Sequence, residues 1–437
     1  MARNSGAIGG ANPSSLARLA VLPNRRLPHV VAPLGDSRAA AVYVDSAQRG
    51  YTASSALNWA NAYLGQRLVI GQGFGKSGDR TDQVLARLSA AIASGAGMLY
   101  ILVGLNDISQ NYPTAGTSGA TAFANVRTMI DAGRAAGMIA VVEAEVGANN
   151  LTAAQIAQVN EFNALLFEYG ERTPGLHIND ARFTVMQPSY GDGALQFRVG
   201  FSYDGTHLNG RGSSYAGEGL AALLDKLVPP RPGVALNTRT ALVGLGRRQL
   251  LTNPIFTTAT GGTLGTGATG TVPLGFGGSV SGGGATATYG TQADPDGIGN
   301  NAVVDATFSA AGSQVRFFQD VPAANYQAGD IVQGIAVIDV LGTPSNLAAL
   351  MLQLVQSTAA SGGQSFDNYS MYGPVGTGQL GVDRAVRVTM QTRPYTLLPA
   401  VGAGAYVQLS MRAVTAGSGG AKFVVRQMAL KRRDGGY

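Results

Sequence analysis

Four short segments, far apart in the chain, contain residue types that together could catalyse acyl transfer. A serine hydroxyl is a weak nucleophile at neutral pH and needs a base within hydrogen-bond reach. The base needs a residue that orients it, and the developing oxyanion needs fixed hydrogen-bond donors. In chain order, the segments that supply these parts are Gly35-Asp36-Ser37, Gly78, Gly104-Leu105-Asn106-Asp107 and Asp204-Gly205-Thr206-His207.

The base must be one of the 3 histidines of the chain. His207 follows Asp204 by three positions in a glycine-containing turn, so Asp204 can hold the imidazole in the tautomer that accepts the Ser37 proton. His29 and His177 each stand at the start of a strand-like segment, away from the strand ends, and are expected to be structural or surface residues. We therefore predict a triad of Ser37, His207 and Asp204.

Three groups are candidates for binding the oxyanion. The Ser37 backbone N–H would stand at the start of a helix, where it has no helical acceptor. The Gly78 backbone can approach a ligand closely because glycine has no Cβ. The Asn106 amide can donate a hydrogen bond without carrying a titratable charge. These three donors form the predicted oxyanion hole.

The segments fall where strands end and helices begin. Residues 28–228 alternate strand-like and helix-like patterns, which predicts a parallel sheet with helices on both faces. In such sheets the ligand site lies at the carboxyl ends of the strands. Strand-like patterns cover 30–34, 68–70, 98–103 and 138–142, and helical patterns cover 55–64, 81–92, 120–136, 152–169 and 210–227.

Residues 28–228 resemble the SGNH hydrolases, the GDSL-like family of serine esterases and lipases. Ser37, Gly78, Asn106 and His207 match the four residues that name the family, and Asp204 matches its triad acid. The resemblance implies a flavodoxin-like three-layer α/β sandwich, hydrolysis through an acyl-enzyme, no cofactor and no metal.

Two positions depart from the family pattern. The usual leucine after Gly-Asp-Ser is Arg38, which is expected to place a positive charge at the rim of the pocket. The glycine block is also loose, with Gly73 and Gly75 as alternatives to Gly78. Gly78 is preferred because Ser-Gly-Asp followed by Thr81 fits the family best.

The second half of the chain differs in composition. Pro229 and Pro230 begin a linker, expected to span 229–249 between the hydrolase domain at 28–228 and a module at 250–437, and residues 1–27 form an N-terminal extension. Period-two alternation near 386–390, 407–411 and 423–425 predicts a jelly-roll-like antiparallel β-sandwich. Residues 259–290, rich in glycine and threonine, could be a flexible linker or strands with loops. Residues 250–256 weakly resemble the opening strand of jelly-roll carbohydrate-binding modules of phage tail proteins.

Composition and motifs exclude several function classes. With 0 cysteines, the chain has no disulfide, thiolate nucleophile or cysteine-ligated zinc. The net charge of +6 comes from scattered basic residues, and Lys431-Arg432-Arg433 is expected to be a solvated tail, so no nucleic-acid partner is predicted. No apolar run is long enough to span a membrane, and no secretion signal is recognisable.

Other motifs have simpler interpretations. A P-loop ending in Gly75-Lys76-Ser77 would need glycine where the chain has Ile70. The segment from Asp294 to Asn301 could bind calcium but lacks the EF-hand spacing, so a polar turn is favoured. Glu143 and Glu145 are expected to form a salt-bridged rim of the site. Trp59, at helical spacing with Leu64, is expected to line the core or a groove.

The leading functional prediction is a serine esterase that removes O-acetyl groups from a polysaccharide. The β-sandwich module would bind the glycan. The protein would be extracellular or carried on a phage virion, and on a virion it would be expected to form a trimer. A lipase or thioesterase acting on longer acyl chains is the alternative within enzymes. A glycan-binding virion protein with an inactive hydrolase scaffold is the alternative from another class.

Overall fold

The computed structural model describes residues 26–187, 195–230, 249–295, 299–359, 365–373 and 379–433. Most of the expected N-terminal extension and of the expected linker therefore lies outside the described residues. None of the helices in these ranges is long and apolar enough to cross a bilayer.

The first part of the chain is built on a sheet of six parallel strands. The main path runs β2-β1-β4-β5-β6, and the short β3 also pairs with β1. Without β3 this is the order 2-1-3-4-5 of flavodoxin-like folds, in which the site lies where the strand order reverses. The strands are β1 (Leu27–Gly35), β2 (Val69–Ile70), β3 (Phe74–Gly75), β4 (Ala96–Leu102), β5 (Ile139–Glu143) and β6 (Leu176–Asn179).

Helices cover both faces of this sheet, because its strands are apolar on both sides. Ala32 and Leu34 of β1 pack with Val126 on one face, whereas Val31 of β1 packs with Leu57 on the other. The predicted three-layer α/β sandwich is confirmed. The helices are α1 (Ser37–Ala40), α2 (Ala56–Tyr63), α3 (Thr81–Leu85), α4 (Leu88–Ala93), α5 (Leu105–Ser109), α6 (Ser118–Ala135), α7 (Ala153–Glu171), α8 (Arg182–Val185) and α9 (Gly210–Asp225).

The single helix predicted for 81–92 is two helices in the structure. The break falls at Ala86 and Arg87, where the Arg87 N–H donates to the Val84 carbonyl in a tighter, 3₁₀-type turn. The Arg87 guanidinium also contacts the Phe74 and Gly35 carbonyls. The break therefore fixes an arginine against the ends of β1 and β3.

The second part consists of two packed sheets, as expected for a β-sandwich. One sheet has the order β16-β13-β19-β11-β10-β8, with β17 beside β13, and the other has the order β15-β14-β18-β12-β9-β7. Most pairs are antiparallel, but β8 and β7 pair in parallel with β10 and β9. The strands are β7 (Thr263–Leu264), β8 (Ala268–Gly270), β9 (Gly277–Ser281), β10 (Ala285–Ala293), β11 (Asn300–Phe308), β12 (Gln314–Pro322), β13 (Ile331–Leu341), β14 (Leu347–Ser357), β15 (Ser365–Ser370), β16 (Val386–Gln391), β17 (Tyr395–Thr396), β18 (Tyr406–Thr415) and β19 (Gly419–Arg433).

Alternate side chains of these strands form the core between the sheets. Phe317 of β12 is fully buried and stacks on Phe276, while Phe256 packs against both rings edge-on. The glycine-rich stretch 259–290 supplies β7, β8, β9 and the start of β10. Of its two interpretations, strands with loops is the observed one.

Two local expectations are wrong. Residues 250–256 form bends and turns rather than an opening strand, because the Phe256 N–H folds back onto the Asn253 carbonyl. The basic triplet at the C-terminus is not a solvated tail. Lys431 and Arg432 lie in β19 and pair with β13, and Arg432 forms an ion pair with Asp330 at 3.0 Å.

The two parts share one buried cluster. Trp59 of α2 is 2% exposed and belongs to the same hydrophobic core as Val388 and Met390 of β16. Its indole N–H donates to the Ala53 carbonyl at 2.7 Å. The expectation that Trp59 lines the core is met, and the core it joins is that of the sandwich.

Candidate active site

The nucleophile candidate lies on a sharp turn between β1 and α1. Asp36 caps α1 by accepting a hydrogen bond from the Arg38 N–H at 2.9 Å, which places Ser37 at the first helical position. A Cβ on Gly35 would lie 2.0 Å from the Leu102 carbonyl oxygen of β4. Only glycine therefore allows β1 to end this close to its neighbour, and the turn is fixed relative to β4.

A continuous chain of hydrogen bonds joins Ser37, His207 and Asp204. Ser37 Oγ lies 2.7 Å from His207 Nε2, and His207 Nδ1 lies 2.6 Å from Asp204 Oδ2. A carboxylate can only accept, so Nδ1 carries a proton and, in neutral imidazole, Nε2 accepts from the serine hydroxyl. The structure thus brings together the three residues predicted for the triad.

Asp204 is held by the turn in which it lies. Its Oδ1 accepts from the backbone N–H groups of Thr206 and His207 at 2.9 and 2.7 Å. Partial burial acts to raise the pKa of Asp204, but hydrogen bonds from His207 and Thr206 outweigh burial and lower it. The acid therefore stays ionised and orients the imidazole.

The other two histidines lie elsewhere. His29 is near the start of β1 and His177 near the start of β6, at the edge of the sheet opposite Ser37. Partial burial lowers the pKa of His177. A residue that sequence reasoning missed contacts His207 directly: the ring of Tyr203 stacks on that of His207, with centroids 5.7 Å apart and planes at 11°.

The glycine block has one member in an open turn. Gly78 has φ = 80°, and no atom lies within 4 Å of where its Cβ would be. By contrast, the Gly73 N–H donates to the Gln48 side chain, and a Cβ on Gly75 would lie 2.2 Å from the Ala40 nitrogen. Gly78 is therefore better suited than either alternative to approach a ligand.

Asn106 is fixed beside this turn. It lies in the first turn of α5, and its Nδ2 donates to the Asp79 carbonyl at 2.9 Å. An amide group has two N–H bonds, so one remains for a ligand. Asp107 accepts from the Thr81 backbone and hydroxyl at 2.9 and 2.6 Å, which ties α5 to the start of α3.

Glu145 forms the salt bridge predicted for it, with Arg38, but the pair is buried, so the expected placement of these charges at the rim is wrong. The Arg38 side chain is only 10% exposed and lies between Asp36 and Glu145, bonding Asp36 Oδ2 at 2.6 Å and Glu145 Oε1 at 2.8 Å. Glu145 Oε1 also accepts from the Leu105 N–H at 3.1 Å. Arg38 and Glu145 therefore connect the Ser37 turn with the helix that carries Asn106.

Asn163 of α7 holds Glu145 in place. Its side chain accepts from the Glu145 N–H and donates to the Glu145 carbonyl, both at 2.8 Å. The sequence contains no local signal for this contact, because the partners are separated along the chain and neither belongs to a motif.

A small cavity lies beside His207, between α1, α9 and the sheet. It has a volume of about 60 Å³, and Arg38, Tyr100, Glu143 and Ser213 contribute to its wall. Glu143 accepts from Tyr100 and from Asn179, both at 2.7 Å. Burial, opposed by these hydrogen bonds and by the charge of Arg38, raises the pKa of Glu143 to about 7.

Within the described ranges, no group of three or more His, Asp or Glu side chains could hold a metal ion. The calcium alternative at Asp294 to Asn301 falls partly outside the described residues. Asp294 itself forms an ion pair with Arg426 at 3.2 Å.

Breaking the Arg38–Glu145 pair should separate stability from catalysis. We expect Glu145→Leu to destabilise the protein by about 1.5–3 kcal/mol, because the buried Arg38 keeps Asp36 but loses its bonds to Glu145. The triple variant Asp36→Asn/Arg38→Met/Glu145→Leu removes all three charges and should regain most of this stability, but it should keep a reduced kcat, since the link between Ser37 and Asn106 is lost. Urea denaturation and ester kinetics measure the two effects. A triple variant with wild-type kcat would contradict the role of the pair.

Glu143 should make stability depend on pH. An unfolded glutamate titrates near 4.3, whereas the folded carboxyl holds its proton up to about 7. The folded state therefore binds more protons between these values, and the free energy of unfolding falls as the pH rises through them. The free energy of unfolding of the wild-type protein should fall by about 3 kcal/mol between pH 4.5 and 8, and Glu143→Gln should abolish this fall. Urea denaturation of both proteins across this range tests it; parallel profiles would refute it.

The family model of the GDSL-like lipase/acylhydrolase family matches residues 34–214. No curated protein matches the chain. Among solved structures, a putative lipolytic protein of the G-D-S-L family from Desulfitobacterium hafniense is 18% identical, covers 45% of this chain and 99% of its own, and has a TM-score of 0.35. The acetyl xylan esterase AlAXEase is 14% identical, with coverages of 44% and 98% and a TM-score of 0.36.

A third solved structure is also similar to part of this chain. It comes from a study of the carbohydrate-binding modules of the β-sandwich superfamily, is 14% identical, covers 36% of this chain and 56% of its own, and has a TM-score of 0.26. The family match itself rests on the segment that contains Ser37, Gly78, Asn106 and His207. Residues 34–214 of this chain form a domain of the GDSL-like lipase/acylhydrolase family.

Proposed function

We propose that this protein is a serine esterase in which Ser37 is the nucleophile, His207 the general base and Asp204 the residue that orients the base. The observation that carries the proposal is the continuous hydrogen-bond chain, with 2.7 Å from Ser37 Oγ to His207 Nε2 and 2.6 Å from His207 Nδ1 to Asp204. Such a chain allows the serine hydroxyl to lose its proton as it attacks.

The reaction would proceed in two halves. Ser37 Oγ attacks the ester carbonyl while its proton passes to His207 Nε2, and the imidazolium then protonates the departing alcohol. Water, deprotonated by the same nitrogen, attacks the acyl-enzyme. The imidazolium then returns this proton to Ser37 Oγ as the bond from Ser37 to the acyl group breaks and the acid is released. The oxyanion in each half would bind the Ser37 and Gly78 backbone N–H groups and the remaining N–H of Asn106.

We further propose that the acyl group is short and the alcohol bulky, as in an O-acetylated polysaccharide. The Asp204 and His207 side chains are 39% and 23% exposed, so the site is accessible to a polymer. The cavity beside His207, at about 60 Å³, has room for only roughly four to six waters. The exposed face of Tyr203 offers an apolar surface on which a sugar ring could pack.

The proposal extends to the second part of the chain. Two packed sheets would bind the polysaccharide, and the protein would act as a surface-glycan deacetylase outside the cell or on a virion. The support for this step is the sandwich architecture and its firm attachment to the hydrolase domain.

Acetate release tests the substrate. We expect release from acetylated xylan or an acetylated O-antigen, and turnover of p-nitrophenyl acetate well above that of p-nitrophenyl palmitate, because the cavity beside His207 has a volume of only about 60 Å³. Higher activity on the long-chain ester would favour the lipase alternative. Absence of turnover on every ester, with the protein folded, would refute the esterase proposal and favour a glycan-binding role.

Substitution of the triad tests the mechanism. Ser37→Ala and His207→Ala should each lower kcat by at least about 10³-fold, and the double variant should lose little more, since the residues act as a unit. Ser94→Ala, at the opposite edge of the sheet, is the matched control and should retain wild-type kcat. Multiplicative losses in the double variant would contradict the assignment.

A further inference from the structure

The β-sandwich contacts the supports of both catalytic loops, and these contacts carry an inference that rests on the proposed esterase function. We propose that the sandwich is a positioning element of the active site, acting on the His207 loop through Asp383 and on the glycine loop through Arg393. Neither residue touches the predicted catalytic groups, so each would act through an intermediate.

The first connection leads to the base. His207 lies three residues before α9, whose cap Asn209 accepts from the Gly212 N–H and donates to the Gly200 carbonyl, closing the loop that contains His207. The N–H of Arg211, in the first turn of α9, donates to the Leu380 carbonyl of the sandwich part at 2.7 Å. Arg211 also forms an ion pair with Asp383 at 3.2 Å.

The backbone that accepts the hydrogen bond from Arg211 is itself bonded to the sandwich. The Gly381 N–H donates to the Leu347 carbonyl of β14 at 2.7 Å, and Val382 is buried in the core of the sandwich. A Cβ on Gly210 would lie 2.9 Å from the Leu380 carbonyl oxygen. The start of α9 is therefore packed directly against backbone that the sandwich holds in place.

The second connection leads to the oxyanion donors. Arg393 lies just after β16, and its guanidinium donates to the Gln48 carbonyl at 2.8 Å. The Gln48 side chain then binds Gly73 in both directions, accepting from its N–H at 3.2 Å and donating to its carbonyl at 3.1 Å. Gly73 belongs to the same glycine-rich loop as Gly78.

Further contacts make the Arg393 connection rigid. The guanidinium lies 5.0 Å from the Tyr43 ring centroid and 6.0 Å from that of Tyr51. The backbone of Tyr51 exchanges hydrogen bonds with the sandwich, donating to Tyr369 at 2.9 Å and accepting from Tyr372 at 2.8 Å. The segment between α1 and α2 is thus held along its length by the second part of the chain.

The two connections support two different parts of the predicted active site. One supports the element that carries the base, and the other supports the loop that carries an oxyanion donor. Displacement of a reacting group by about 1 Å can cost about 10²-fold in rate. Loosening either connection should therefore lower kcat without removing any group that binds substrate.

Variants of the full-length protein test this inference. We expect Arg393→Met and Asp383→Asn each to lower kcat on p-nitrophenyl acetate by about tenfold or more, with KM changed less than twofold. Arg393→Lys, which keeps a charge and a donor, should lose less than Arg393→Met. The control is Lys422→Ala, which removes an ion pair with Asp305 within the sandwich and should leave kcat unchanged.

Active-site titration with a fluorophosphonate separates positioning from folding. Rates are expressed per reactive serine, so a variant that merely unfolds in part would show fewer sites but a wild-type kcat per site. That result, or wild-type kcat in both variants, would overturn the inference. A wild-type protein that neither turns over ester nor labels at Ser37 would instead refute the proposed function, so the two failures are distinguishable.

Discussion

The parallel pairing of β1 with β4 is the constraint on which the site depends. The two strands lie on either side of the point where the strand order reverses, and their carboxyl ends carry the Ser37 turn and the Asn106 helix. Gly35 permits the approach, since any side chain there would collide with the Leu102 carbonyl. Because the register of paired strands cannot shift by less than one residue, the separation of Ser37 and Asn106 is fixed as soon as the strands pair.

Much of this arrangement could be predicted from sequence, because the motifs coincide with changes of secondary structure. Ser37, Asn106 and His207 each follow an apolar, strand-like segment or precede a helical one, and parallel strands gather such positions at one edge. Asp204 could be assigned since it stands in the same turn as His207. The family and the three-layer fold were predictable for the same reason.

The environment of these residues could not be predicted. Arg38 was expected at the rim because it directly follows Ser37, yet it is buried between Asp36 and Glu145. Glu145 is distant in sequence and belongs to no motif, so local pattern gives no indication of the pair. The C-terminal basic triplet illustrates the same limit: composition suggests a tail, whereas Arg432 is paired within a strand. Long-range partners decide burial, and one sequence does not reveal them.

The close packing at Gly210 bears on how such proteins can be rearranged by recombination. With backbone from residues 380 and 381 lying against this glycine, and Trp59 enclosed by residues of the second part, neither half has a complete surface of its own. A chimaera that joined this hydrolase to a foreign module would expose an apolar indole and leave the start of α9 without its acceptor. The two halves are therefore expected to be inherited together, with exchange between lineages confined to the loops that do not face the junction.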